Sequence, residues 1–239
     1  MHNTKISVCI ASFNGEDYIE EQLKSILGQL TSSDEIIISD DSSDDNTIRI
    51  INSLNDNRIK LLKNQKFKNP IFNFENALKK ASGEYIFLAD QDDVWHEDKV
   101  KKTLSMLDKY DLILHDCWIT NKNLNSLGKS MFQSRNSQRG LIRNIVKNSY
   151  MGCCMAFKRN VLEKSLPFPK HIPMHDQWIG LIGEKYFNVI FSDQKLLFYR
   201  RHDFNASPTS SKSTNSILKK LFFRVAIFYA LSKRILFDV

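Results

Sequence analysis

Short apolar runs alternate with helical periodicities along most of the chain. Residues 5–12, Lys-Ile-Ser-Val-Cys-Ile-Ala-Ser, are apolar and β-prone. Over residues 17–30, Tyr18, Ile19, Leu23, Ile26, Leu27 and Leu30 then fall at helical spacing. A strand followed by an amphipathic helix is predicted, and the unit recurs. Residues 35–39 read as a strand ending in Asp40-Asp41, 46–54 as a helix, 58–63 as a strand and 72–80 as a helix. Residues 85–89 read as a strand that runs into Asp90-Gln91-Asp92-Asp93, 97–107 as a helix and 111–115 as a strand. A polar stretch over 121–139 reads as a surface loop or a flap over a site. Order returns with a strand at 151–157, a helix starting near His175, and two short strands at 188–191 and 195–199. This alternation predicts an α/β fold: a Rossmann-like, mostly parallel sheet flanked by helices, joined by right-handed crossovers. Such sheets bind ligands at the carboxyl ends of their strands, where both acidic clusters fall.

Composition narrows the class. Of 239 residues, 42% are hydrophobic, ample for a packed core, while 8 Gly and 5 Pro exclude collagen-like and linker-rich chains. Nothing approaches the ~18 uninterrupted apolar residues of a membrane span, and no basic-then-apolar leader opens the sequence, so a cytoplasmic location is expected. Cys9, Cys117, Cys153 and Cys154 lack C-x-x-C spacing and read as reduced, mostly buried thiols. The net charge of +7 is unevenly placed. Lys219, Lys220, Arg224, Lys233 and Arg234 against Asp238 give the tail +4 and leave only +3 for the rest. The body carries Asp40-Asp41, Asp44-Asp45, Asp90 and Asp92-Asp93, which repel a phosphate backbone unless a divalent cation intervenes; no nucleic-acid partner is expected.

Asp90 and Asp92, one residue apart at a strand end, bring two carboxylates to one point with Gln91 turned away. That suits a hard divalent cation, Mg2+ or Mn2+, able to bridge a nucleotide diphosphate and neutralise its charge as it departs. The alternative is a solvated loop in which Asp92 or Asp93 caps a helix. At the second strand end, Asp40-Asp41-Ser42-Ser43 can accept from a uracil- or thymine-type N3–H or a ribose hydroxyl, or can form a capping turn before Asn46.

Together these motifs resemble glycosyltransferase family 2, the inverting nucleotide-sugar transferases of the GT-A fold. The matching segments are Val-Cys-Ile-Ala-Ser-Phe-Asn-Gly at 8–15, Asp40 to Asp45, Gly83-Glu84-Tyr85 leading to Asp90-Gln91-Asp92-Asp93-Val94-Trp95, Met174-His175-Asp176-Gln177-Trp178, and Tyr199-Arg200-Arg201-His202. The resemblance implies a catalytic domain over 1–204, with a nucleotide-sugar half over about 1–116 and an acceptor half over 117–204. It implies that Ala11, Ser12, Phe13, Asn14 and Asp41 line the nucleotide. Asp90 and Asp92 form the metal pair with His202 in reach, Gln91 lies beside the donor, and Arg200 and Arg201 close over the diphosphate. It makes Asp176 the catalytic base, which inverting displacement requires to take the acceptor proton. Asp93, Trp95, His175 and Trp178 are expected to line the sugar or acceptor, and Trp118 to lie in the core. The form of the motifs, ending in Arg201, His202 and Asn205, is similar to a bacterial branch that includes rhamnosyl- and other hexosyltransferases of surface polysaccharides. A dTDP- or UDP-sugar donor and a saccharide acceptor, lipid-linked, are implied; the Gln-x-x-Arg-Trp motif of processive synthases is absent. Two other readings stay open: a nucleotidyltransferase or nuclease, although Asn14-Gly15-Glu16-Asp17 is acidic where a basic phosphate loop belongs, and a non-catalytic protein keeping the fold.

After a Ser/Thr/Asn-rich linker at 205–216, residues 217–237 mix Leu218, Leu221, Phe222, Val225, Ile227, Phe228, Leu231, Ile235 and Leu236 with basic positions. A basic amphipathic helix lying on the anionic inner leaflet is expected, or the same helix docked on the catalytic domain or on a second copy in a homodimer.

Overall fold

The structure is a computed structural model and describes residues 5–202 and 216–237. Asn205 and nearly all of the expected linker lie outside the described residues. The first strand, β1 (Ile6–Ser12), is buried along almost its whole length, which is why it reads as a continuous apolar run rather than an alternation. It lies between β2 (Glu35–Asp40) and β4 (Tyr85–Ala89), parallel to both, and β3 (Ile59–Leu62) extends the same parallel set. The register pairs Ser12 with Asp40 and Ile10 with Ala89, so the segments leaving these three strands emerge side by side. Helices α1 (Ile19–Leu27), α2 (Thr47–Ser53) and α3 (Pro70–Lys80) make the crossovers. Asn69 caps α3 through its side chain ahead of Pro70, a proline in the first turn, where a backbone N–H has no intrahelical acceptor to lose.

The sheet runs β3-β2-β1-β4-β8-β6-β9-β5. Its second half is β5 (Val94–Trp95), β6 (Leu112–Thr120), β8 (Met155–Lys158) and β9 (Val189–Arg200), with β7 (Ser126–Ser130) paired to β6. Here β8 is antiparallel to both β4 and β6, so parallel pairing is confined to the first four strands and the β6–β9 pair. The sequence suggests two short strands at the end of the body. They are one, β9, whose register against β6 shifts where the polar run Ser192-Asp193-Gln194 interrupts the apolar pattern. The expected loop over 121–139 holds β7 and α5 (Met131–Arg135), started by a Ser130–Gln133 capping box; α6 (Leu141–Val146) follows.

Between these lie α4 (Lys99–Leu107), a 3-10 turn at Gly152–Cys154, and α7 (Arg159–Ser165). The helix α8 (His175–Tyr186) is buried on all sides from His175 to Gly183. Its packing tolerates no added atom at Gly180, where a Cβ would lie 2.3 Å from the Tyr150 ring. Ala exceeds Gly in helix propensity by about 1 kcal/mol. The fully buried Tyr150 ring has no room to retreat, and overpacking costs ~1–3 kcal/mol or more. Gly180→Ala is therefore expected to destabilise the fold by about 1–2 kcal/mol, read from urea midpoints; an unchanged or higher midpoint would show that the ring can move. All four cysteines are buried and free, as the sequence suggests. The tail forms α9 (Ile217–Phe237), one stripe of which, Ile227, Leu231 and Arg234, is buried.

Candidate active site

The loops leaving β1 and β2 are bound to each other by side chain-to-backbone hydrogen bonds. The buried Asp40 carboxylate accepts from Ser12 Oγ (2.8 Å), Ser43 N–H (2.9 Å) and Ser43 Oγ (2.6 Å). Asn14, at φ 48°, donates its N–H to Ser43 Oγ (2.9 Å) and accepts at Oδ1 from the Asp44 N–H (3.0 Å). Asp41 N–H donates to the Ser12 carbonyl (2.9 Å), and Asp41 Oδ1 accepts from the Phe67 N–H (2.6 Å). Ser12, Asn14 and Asp41 thus belong to one connected rim; Ala11 precedes it within β1, opposite Ser39, and the Phe13 ring is exposed. Gln91 is not turned away from this rim. Its amide accepts from Phe13 N–H (2.9 Å) and donates to the Phe13 carbonyl (3.0 Å), tying the end of β4 to the end of β1. Gly15 makes room for it, since a Cβ there would stand 2.6 Å from Gln91 Oε1.

At the β4 end, Asp90, Asp93 and Cys153 place potential ligand atoms within 4.8 Å of one another. Asp92 Oδ2 meets His202 Nε2 at 2.8 Å, and the His202 ring stacks on Tyr18 at 4.7 Å. Burial, and then the charge of Asp92, pushes the Asp90 carboxyl up to about 7. Burial and the same neighbours raise that of Asp93 well above the ordinary range. Crowded carboxylates hold protons because ionising together is costly, and a cation relieves that cost. Asp93 Oδ1 accepts from the Arg200 N–H (3.0 Å), whereas its buried Oδ2 has no protein partner. Carboxylate oxygens with one imidazole suit Mn2+ or Mg2+. The Cys153 thiol does not: burial raises its pKa well above the ordinary value, so it stays protonated and soft.

Asp176 is the second residue of α8 and is 7% exposed. Burial raises its carboxyl to about 6 against the opposing pull of the Arg135 guanidinium, and Asn148 Nδ2 donates to its Oδ1 at 3.5 Å. Its charge adds to the upward push on Asp90. The two acids are joined through the Gly152–Cys154 turn. Cys153 packs on Asp90 and Asp93, while a Cβ on Gly152 would fall 3.9 Å from Asp176 Cβ and 2.9 Å from His175 Nε2. Residues far apart in sequence thus converge at one end of the sheet.

The family model for glycosyl transferase family 2 matches residues 7–166, two thirds of the sequence. The chain belongs to glycosyltransferase family 2. It is 28% identical over 192 residues to UDP-Glc:alpha-D-GlcNAc-diphosphoundecaprenol beta-1,3-glucosyltransferase WfgD of Escherichia coli, covering 80% of this chain and 74% of WfgD. It is 40% identical over 105 residues to dTDP-rhamnosyl transferase RfbG of Shigella flexneri, covering 41% of this chain and 36% of RfbG, well under two thirds of that protein. The crystal structure of S. aureus TarS 1-349 in complex with UDP-GlcNAc superposes with a TM-score of 0.66 at 20% identity, over 98% of this chain and 73% of that one, a likeness of fold. Family membership makes the chain a glycosyltransferase and its mixed sheet the GT-A fold.

Within this glycosyltransferase the geometry changes several expected roles. The Arg200 guanidinium, 4% exposed, donates to the carbonyls of Asp92 (2.9 Å) and Lys122 (2.5 Å), pairs with Glu21, and lies 4.8 Å over the Tyr18 ring. It braces the acidic loop from behind rather than reaching for a diphosphate. Arg201 continues the β9 edge, its N–H donating to the Thr120 carbonyl at 2.9 Å. His175 is buried against Phe74 (4.1 Å between rings), and burial lowers it to about 3, so it is a neutral core residue and not a sugar contact. Trp178 is wholly buried with Nε1 donating to the Ser165 carbonyl (2.8 Å), and Trp95 is buried between Phe87 and the Lys99 ammonium. Trp178 belongs to the core because α8 is buried on all sides there, and Trp95 because its side chain turns inward from the edge strand β5. Trp118, expected inside, is half-buried and clusters with His96 (5.6 Å) and Phe198 (4.8 Å), whose rings also meet each other (6.2 Å).

Sequence reasoning missed Cys153, Asn148, Arg135 and Lys99. The buried Lys99 Nζ donates to the Cys153 carbonyl (2.7 Å), fixing the turn that backs the acids. None of these four sits in a recognisable motif; tertiary contact alone brings them to the site.

Proposed function

We propose that the protein is an inverting, metal-dependent glycosyltransferase. It moves a hexosyl or deoxyhexosyl unit, rhamnose included, from a UDP- or dTDP-sugar to a lipid-linked saccharide in cell-surface polysaccharide synthesis, at the inner face of the cytoplasmic membrane. The observation that carries the reading is Asp176: an enclosed carboxyl with a raised pKa, one turn of chain away from the Asp90–Asp93 cluster. WfgD, named for a UDP-Glc donor and a diphosphoundecaprenol acceptor, and RfbG, named for dTDP-rhamnosyl transfer, support the donor and acceptor classes. In this reading β1 to β4 carry the nucleotide sugar and the segments from β6 to α8 the acceptor.

Asp41, beside the β1 loop, accepts from the base N3–H or a ribose hydroxyl. Asp90, Asp92 and His202 would hold Mn2+ or Mg2+, which when bound supplies positive charge against the departing diphosphate. Asp176 Oδ takes the proton of the acceptor hydroxyl as that oxygen bonds to the anomeric carbon, while the bond from that carbon to the diphosphate breaks on the opposite side. A carboxyl titrating near 6 is ionised at neutral pH and more basic than an ordinary aspartate. The sign follows: protonation removes the base, so kcat/KM is expected to fall about tenfold per pH unit below about 6 and to level off above it. An acid limb centred near ~4 would place an unperturbed carboxyl in the role. Thermal shifts with UDP and dTDP sugars, each with and without Mn2+, test donor binding; no stabilisation by any of them would overturn the donor assignment.

A further inference from the structure

Apart from Phe13, Phe67 and Leu127, every strongly exposed large apolar side chain among the described residues belongs to α6 or α9. Ile142 and Val146 project from α6, the former 78% exposed. Leu218, Leu221, Phe222, Val225, Phe228, Tyr229, Ile235 and Leu236 project from α9. A docked helix normally turns its polar side to water, but α9 buries the stripe Ile227, Leu231 and Arg234 and presents a second apolar face outward. The docking is specific. Arg234 donates to the carbonyls of Lys164 (2.5 Å), Leu166 (3.0 Å) and Pro167 (2.7 Å), and its guanidinium lies 5.4 Å from the Trp178 ring. Arg224 donates to the Val146 carbonyl (3.0 Å), which makes the exposed ends of α6 and α9 neighbours.

Charge identifies what this surface fits. No Asp or Glu occurs between Asp116 and Glu163, a stretch holding eight Lys and Arg, and none occurs within α9. Exposed Lys147 flanks α6, as does Arg139, which lies 3.9 Å from the largely enclosed Glu184 carboxylate, and exposed Lys219, Arg224 and Lys233 are interspersed on α9. Apolar side chains interspersed with cations, with no acid in either helix, match a bilayer carrying anionic headgroups: acyl chains receive the apolar tips and phosphates receive the lysines and arginines. No helix among the described residues is long and apolar enough to cross a membrane.

We propose that α6 and α9 together form a membrane-docking face for an anionic phospholipid bilayer, and that this face holds the Asp176 side of the molecule, where the acceptor reacts, close to the lipid surface. The second clause rests on the glycosyltransfer reading; the first does not. The placement comes from α6 itself, which faces two ways. Outward it shows Ile142 and Val146. Inward its Asn144 carbonyl accepts from Gln177 Nε2 (2.6 Å), and Asn148, two residues past Val146, donates to Asp176. On the other side, Phe222 of α9 meets the ring of His171, four residues ahead of His175. Through Asn144 and Asn148, the segment carrying the lipid-facing Ile142 and Val146 is therefore tied to the start of α8, where Asp176 stands.

Flotation of the full chain with phosphatidylcholine vesicles containing roughly one-third phosphatidylglycerol tests this, beside phosphatidylcholine alone. The chain is expected to float with the anionic vesicles and to remain behind with the neutral ones. Val225→Asp with Phe228→Asp, and separately Ile142→Asp with Val146→Asp, are each expected to weaken vesicle binding about tenfold or more, with UDP binding unchanged. The α6 pair is the sharper test, because a tail acting alone would not feel it. Wild-type binding by the α6 variant would overturn the two-helix face. Equal binding to both vesicle types, or no binding together with a dimer in sedimentation velocity that the same substitutions dissociate, would overturn the bilayer in favour of nonspecific adhesion or a second copy. Transfer to a water-soluble acceptor is expected to survive these variants, whereas its loss in wild type would count against the glycosyltransfer reading and leave vesicle binding untouched.

Discussion

Replacing Asp176 with Asn is expected to lower kcat by about 10²–10⁴, the usual worth of a general base, while UDP affinity in the presence of Mn2+ stays within about twofold. The substitution is isosteric, so the amide oxygen still accepts from Asn148 Nδ2 and the N-terminal turn of α8 keeps its shape. What it removes is the lone pair able to take a proton near neutral pH. Stability should move the other way. The carboxyl is raised from 3.8 to about 6 by burial, so its ionised form is penalised in the folded protein and costs stability once the pH exceeds the unfolded value. Removing the charge is therefore expected to stabilise the fold by on the order of 1–3 kcal/mol at neutral pH. Kinetics and a denaturation curve on one variant separate the roles: lost transfer in a protein at least as stable as wild type marks a chemical role. Near-wild-type kcat would move the base elsewhere.

Asp92→Asn is expected to produce the complementary result. Asp92 pairs with His202 through Oδ2 and shares its loop with Asp90. The amide removes the charge that a hard cation requires and keeps the volume. Disturbing even an outer partner of a metal ligand costs about 10–100-fold in affinity, and a direct ligand is expected at or above the top of that range. In isothermal titration, UDP affinity with Mn2+ should fall to the metal-free level, whereas binding without metal should be little changed. The variant also weakens the hold on His202, leaving its ring stacked on Tyr18. If Asp92→Asn kept full metal-stimulated binding and Asp93→Asn lost it, the cation would sit on the Asp90–Asp93 side of the loop.

The sequence was most legible where local pattern and fold agree. The strand–helix repeat up to residue 115 is present in the structure because β1, β2 and β4 are continuous apolar runs ending in polar loops. The resemblance carried the acids at those ends to their common place. Legibility failed where tertiary contact decides. Trp178, two residues from Asp176, looks like a sugar platform in one dimension, but on the buried helix α8 it turns to the Ser165 carbonyl in the core while Asp176 turns to Asn148. Arg200 and Arg201 are adjacent, yet strand alternation sends the first behind the acidic loop. The segment 121–139 was too polar to read as structure, although the Ser130-x-x-Gln133 signal lay in it.

Glycosyl transfer by this protein requires one cleft that joins the nucleotide rim, the acidic loop and Asp176. A crystal soaked with UDP and Mn2+, with the metal located by its anomalous scattering, tests it most directly. One manganese peak touching Asp92 and the diphosphate, with the uracil beside Asp41 and the open side of the metal facing Asp176, is the expected result. Manganese bound away from the diphosphate, or Asp176 walled off from it by protein, would contradict the account.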